Sequence, residues 1–87
     1  MKRRELKKSI NNLCGELFAE CIALNYYENV DKDRVASVME CILMMQADIV
    51  SRISHVQPGA GKTFFKKLRE DLITRTEEII DDIQALA

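Results

Sequence analysis

Apolar residues recur every three or four positions along three long stretches of this chain, which is the spacing of one face of an α-helix. The middle stretch, from Val35 to Val56, contains seven such positions. Five consecutive apolar residues, Cys41 to Met45, extend beyond that face, because neighbouring helix positions lie about 100° apart. The middle stretch is therefore predicted to be a central helix that needs cover on more than one side.

The two flanking stretches show the same periodicity. In residues 2–28, the positions that share one helix face are Leu6, Ile10, Leu13, Leu17, Cys21 and Leu24. In residues 63–86, they are Phe65, Leu68, Leu72, Ile79, Ile83 and Leu86. No segment alternates between apolar and polar residues with the period of two that is typical of a strand. Three helices are therefore predicted, over about 2–28, 33–56 and 63–86.

Composition and length favour a compact helical fold. Apolar residues make up 47% of the 87 positions, and there are only three glycines and one proline to interrupt helices. Helices of similar length with short connections pack as antiparallel neighbours. The sequence thus predicts one all-α domain, residues 1–87, folded as an up-down-up antiparallel three-helix bundle.

Polar residues mark the predicted helix ends. Asp31 or Asp33 is expected to cap the second helix, since an aspartate side chain accepts hydrogen bonds from free N–H groups there. The connection 54–62 contains Pro-Gly-Ala-Gly and is predicted to break the chain, with Thr63 as the cap of the third helix. Thr76 occupies a core-like position, where its hydroxyl is expected to bond to a carbonyl one turn earlier.

The charges are segregated, although the formal net charge is only −1. In an up-down-up bundle, the starts of the first and third helices and the end of the second share one pole. Ten cations and four carboxylates fall there, which leaves +6, and the rest of the chain carries −7. The candidate anion-binding residues of this basic pole are Lys2, Arg3, Arg4, Lys7, Lys8, Lys62, Lys66 and Lys67.

Two interpretations of this pole stay open. A positive surface suits an anion, a nucleic acid or an acidic protein surface, including the acidic region of a second copy. Charged residues also serve simply to keep a surface solvated. The basic opening has no interleaved aromatic residues and is not followed by helix-turn-helix spacing, so nucleic-acid binding is the alternative and not the favoured function.

The centre of the second predicted helix contains the candidate partner surface: Met39, Leu43, Met44 and Met45. Methionine side chains are adaptable and suit a surface that binds another helix. They also suit a core position between helices. The predicted function is accordingly a protein-interaction module, with an unknown protein or a second copy as its partner.

Catalytic and metal-binding patterns are weak. Gly59 to Thr63 resembles the end of a phosphate-binding P-loop, but Val56 stands where the motif requires its first glycine, and no strand precedes it. Cys14 and Cys21 lie two helical turns apart, too far for one zinc ion or a disulfide. Each of the three cysteines is expected to be a small buried side chain. We predict no enzymatic activity, no cofactor and no metal.

Localisation follows from what the chain lacks. The charged opening is not followed by the apolar segment of a signal peptide, and no segment approaches the roughly 20 apolar residues that span a membrane. A cytoplasmic protein with reduced thiols and no membrane partner is therefore expected.

The opening MKRRELKKSINNLCGELFAECIAL and the later FFKKLRED resemble a family of short, uncharacterised all-helical proteins of Bacteroides-type gut bacteria. The resemblance covers nearly the whole chain and contains no catalytic or ligand motif. It implies a bacterial cytosolic origin and assigns no role to any residue.

Overall fold

A computed structural model describes residues 3–56, 59 and 61–87 of the chain. Within those residues it contains three α-helices and no strand: α1 (Arg3–Leu24), α2 (Lys32–Ser54) and α3 (Gly61–Leu86). The helices α1 and α3 run antiparallel to α2, so the predicted all-α, up-down-up bundle is confirmed. The predicted start of the first helix at Lys2, and Pro58 in the predicted break, lie outside the described residues.

The helix α1 ends at Leu24, four residues before its predicted end. The backbone N–H groups of Asn25, Tyr26 and Tyr27 each donate to the carbonyl three residues earlier, at 3.1–3.2 Å. Such bonds tighten the last turn and end the helix. The Lys32 ammonium then donates to the Asn25 carbonyl at 2.6 Å, which gives this helix end a cation that α1 itself lacks.

The helix α2 has a cap at each end. At the start, Oδ1 of Asp31 accepts hydrogen bonds from the backbone N–H groups of Asp33 and Arg34, at 3.0 and 3.3 Å. Of the two residues predicted as caps, Asp31 is therefore the cap of α2 and Asp33 is not. At the end, the backbone N–H of His55 donates to the Ser51 carbonyl.

The helix α3 begins two residues earlier than predicted. It starts at Gly61, whose φ of +48° lies in the left-handed region that favours glycine. Thr63 is therefore inside the first turn of α3, and its prediction as the cap was wrong.

The core surrounds α2, as its apolar pattern predicts. The buried residues of α2 are Val35, Val38, Ile42, Met45, Ile49 and Ile53. They pack with buried residues of α1 and α3: Ile10, Cys14, Leu17, Cys21, Leu24, Leu68, Ile79, Ile83 and Leu86. Burial of a large apolar side chain contributes roughly 1.5–3 kcal/mol. The hydroxyl of Thr76 lies 3.9 Å from the sulfur of Met45 and makes no bond to a carbonyl, contrary to its prediction.

The helix α3 is displaced along the bundle relative to the other two. A hydrogen bond of 2.8 Å from Gln46 to Asn11 sets the register of α1 and α2, whose ends at Arg3 and Ser54 are level. The contact between Arg52 and Asp71 sets the register of α3. The first six to eight residues of α3 extend past the level of Arg3 and Ser54, by roughly 9–12 Å. The molecule is accordingly 51 Å long, whereas its longest helix, of 26 residues, spans about 39 Å.

Candidate interaction surface and charged regions

The candidate partner surface on α2 is only partly accessible. Leu43 and Met44 are 51% and 61% exposed, and Met39 is half-buried. Met45 is completely buried in the core, because its position on the helix points between α1 and α3. Its assignment to a partner surface was therefore wrong. The accessible apolar centre of α2 consists of Leu43 and Met44, with a contribution from Met39.

A shallow apolar groove runs between α1 and α2. It has a volume of about 260 Å³. Phe18 and Ile22 of α1 line it together with Leu43 of α2, and Ile22 is 44% exposed. Gly15 also lines the groove, and a Cβ added there would meet no heavy atom within 4 Å. This α1–α2 groove extends the exposed apolar centre of α2 onto α1, which the sequence prediction of the site did not include.

A network of four alternating charges joins α2 to α3. Arg52 contacts Asp48 at 2.9 Å and Asp71 at 2.7 Å, and Arg75 contacts Asp48 at 2.7 Å and Asp71 at 3.7 Å. The hydrogen bond from Arg75 lowers the pKa of Asp48, assisted by Arg52 and opposed by partial desolvation. Partial desolvation tends to lower the pKa of Arg52, but its bonds to Asp71 and Asp48 outweigh this and raise it.

The charge network takes Arg52 and two carboxylates, Asp48 and Asp71, from the predicted basic pole, which raises the pole's excess from +6 to +7. The cations left there among the described residues are Arg3, Arg4, Lys7, Lys8, Lys62, Lys66, Lys67 and Arg69. Against Glu5 and Glu70, these eight cations leave +6. Within the described chain, none of them forms an ion pair within 4.0 Å. The described members of the pole thus lie at the same end of the molecule, on the starts of α1 and α3, and Lys2 lies outside the described residues.

The excess of acidic residues lies in the opposite half of the molecule, not at a narrow tip. Because α3 is displaced, its acidic segment from Glu77 to Asp82 lies beside the middle of α2, where Asp82 lines shallow grooves with Cys41 and Ser37. Glu28 and Asp31 lie at the far end. The charge separation is therefore between two halves.

The cysteines differ in accessibility. Cys14 and Cys21 are buried, and burial raises the pKa of both thiols. Cys41 is exposed, so its prediction as a buried side chain was wrong. It lies where the apolar run of α2 turns outward, beside Met44. Among the described residues, no cluster of three or more His, Cys, Asp or Glu side chains is arranged to hold a metal ion.

An open cleft of about 560 Å³ lies at the acidic end. Leu24, Tyr27, Val30 and Ile83 supply most of its apolar lining, and Glu20 borders it. The single histidine, His55, is elsewhere, with its ring Nδ1 2.8 Å from the Ser51 carbonyl. A carbonyl only accepts, so this nitrogen carries the proton. None of the helices in the described part of the chain is long and apolar enough to cross a membrane.

No protein-family model matches the chain, and no significant match to a curated protein or a solved structure was found. The resemblance to the Bacteroides-type helical family therefore stays a prediction.

Proposed function

We propose that this protein is an interaction module that binds a protein partner through the exposed apolar centre of α2 and the adjoining α1–α2 groove. The observation that supports the proposal is the exposure of Leu43 and Met44 in the middle of the helix that forms the core. Large apolar side chains that are exposed side by side favour contact with another protein surface. Ile22 and Phe18 extend this surface across the groove.

The proposal is for binding and not for catalysis. His55 donates from Nδ1 to the Ser51 carbonyl and is hydrogen-bonded to no side chain of the described residues, so it forms no catalytic pair, and those residues include no metal-binding cluster that would activate water. A cytoplasmic location in a bacterium accords with an exposed thiol at Cys41, because such thiols remain reduced there.

Capture from extract of the protein's own cells tests the proposal. The wild-type chain is expected to retain a partner protein at low and high salt, because apolar contacts are not screened. The double variant Leu43→Glu/Met44→Glu is expected to lose it. Ile73→Glu, at a residue of α3 that is 50% exposed, is the matched control and should keep the partner. Equal capture by the wild type and the double variant would contradict the proposal.

A second candidate is anion binding by the basic pole. It is favoured by the eight cations of the pole that form no ion pair with another described residue. Nucleic acid held by such residues is released steeply as salt increases. The chain is then expected to bind heparin and RNA at low salt and to elute early in a salt gradient, and Lys62→Glu/Lys66→Glu should weaken retention. Absence of retention at low salt would exclude this function.

A further inference from the structure

The α1–α2 groove is an uncovered seam between two antiparallel helices. Its lining residues come only from α1 and α2, so α3 does not cover it. Ile22 and Leu43 expose about half of their area there, and Gly15 leaves space for close approach. In four-helix bundles, a seam of this kind is filled by a second pair of helices.

We infer that a second copy of this chain fills the groove, packing α1 against α1 and α2 against α2 in antiparallel orientation. The inference rests on the proposed interaction function, because it names the partner of the same apolar surface. The pair would form a four-helix core in which all adjacent helices are antiparallel.

The position of the groove suits a two-fold axis. Gly15 lies near the midpoint of α1 (Arg3–Leu24), and Leu43 lies at the midpoint of α2 (Lys32–Ser54). A perpendicular two-fold axis through this point therefore overlays both helices along their full length. A face about 33 Å long and 19 Å wide gives roughly 600 Å² per copy, which is at the lower limit for a stable interface.

The charges select the antiparallel orientation. The basic pole adjoins the groove at the start of α1, where Arg4 and Lys8 continue the helix face of Gly15. An antiparallel pair places the basic pole of each copy at the acidic end of the other, at the level of its Glu28 and Asp31. A parallel pair would bring the two basic poles together, and like charges repel.

Sedimentation equilibrium on the full chain tests the inference. The wild type is expected to shift from 10.0 kDa towards about twice that mass over micromolar to millimolar concentrations. Ile22→Glu/Leu43→Glu should weaken association by at least about tenfold, because it buries charge in the seam. Ile73→Glu, outside the groove and equally exposed, should associate as the wild type does. Circular dichroism checks that each variant remains helical.

Charge reversal tests the orientation. Arg4→Glu/Lys8→Glu should weaken self-association in the antiparallel pair, because it brings carboxylates to the acidic end of the second copy, whereas in a parallel pair it would remove the repulsion between the basic poles and strengthen association. Association that strengthens on charge reversal, or that ignores it, would overturn the antiparallel pair. A chain that stays at 10.0 kDa throughout would overturn self-association altogether. If that monomer still captures another protein through Leu43 and Met44, the proposed function stands and only the second copy is excluded.

Discussion

Arg75 of α3 donates a hydrogen bond to Asp48 of α2, with 2.7 Å between Nη1 and Oδ2, while its distance to Asp71, one turn away on its own helix, is 3.7 Å. The shorter contact therefore crosses between helices. It fixes α3 against α2 at one register, because moving α3 by one turn would displace Arg75 by about 5.4 Å from its acceptor.

This contact makes stability depend on pH. The folded-state pKa of Asp48 is lowered by Arg75 first and Arg52 second, so the stabilisation is full above the unfolded-state value and disappears as pH falls through the folded-state value. Asp48→Asn should lower the free energy of unfolding at pH 7 by up to about 1 kcal/mol, since the four side chains are 28–42% exposed.

Urea unfolding of the wild type and Asp48→Asn at several pH values measures this difference, which should shrink as the pH falls below about 4. Glu70→Gln, at an exposed carboxylate outside the charge network, is the control. A difference between wild type and Asp48→Asn that is the same at pH 7 and pH 3 would show that Asp48 acts through packing and not through its charge.

Truncation of two adjacent methionines should affect stability to very different extents. Met45 is completely buried, so Met45→Ala should destabilise the fold by about 2–5 kcal/mol through lost burial and a cavity. Met44 is 61% exposed, so Met44→Ala should change stability by less than about 0.5 kcal/mol. Chemical unfolding measures both, with Met45→Leu as a volume-conserving control. Similar losses at both positions would contradict the orientation of α2.

The cap of α2 should be sensitive to side-chain chemistry. Asp31→Ala removes the acceptor of two backbone N–H groups and should destabilise the protein by about 1 kcal/mol. Asp31→Asn keeps an acceptor oxygen and should have a much smaller effect. Thermal unfolding of both variants distinguishes loss of the hydrogen bonds from loss of the charge. If Asn is as harmful as Ala, the charge is the main contribution.

Two glycines should respond with opposite signs to replacement by alanine. Gly15 lies inside α1 with open space around it, so Gly15→Ala should stabilise the protein by about 0.5–1 kcal/mol. Gly59 has a φ of +86°, so Gly59→Ala should destabilise it by about 1–2 kcal/mol. Melting temperatures measured at one low concentration test this pair. A Gly15→Ala variant that melts below the wild type would show that the space is required.

The thiols should separate into two classes. Cys41 is exposed, whereas Cys14 and Cys21 are buried with raised pKa values, and the thiolate is the reactive form. A disulfide reagent at neutral pH should therefore modify one thiol quickly in the folded protein and three after unfolding. Cys41→Ser should abolish the fast reaction. Rapid modification of two or more thiols would contradict the core arrangement.

The bundle was predictable because it depends on spacing within each helix. The buried stripe from Val35 to Ile53 and the aspartate at Asp31 are local patterns. The register between helices is not a local property. Arg75 and Asp48 are 27 residues apart, and the spacing of apolar residues within each helix does not indicate that the two side chains meet. The displacement of α3 and the charge network therefore emerged only from the structure.

The candidate surface was predictable only in part for a related reason. A run of five apolar residues shows that some must be exposed, but not which ones. Packing against α1 and α3 decides that Met45 is buried and that Cys41 and Met44 are exposed. Ile22 has a spacing that also fits the core, so the periodicity alone gave no signal that it lines a groove.

The displacement of α3 leaves resistance to unfolding uneven along the molecule. Its first turns, from Gly61 to Lys67, extend past the described ends of α1 and α2, and Phe64 and Phe65 pack them against the core. Amide hydrogens in such a segment exchange through local opening, at a lower free-energy cost than those of the middle layer. This first part of α3, which carries Lys62, Lys66 and Lys67, is thus the part that can open locally while the rest of the fold stays intact.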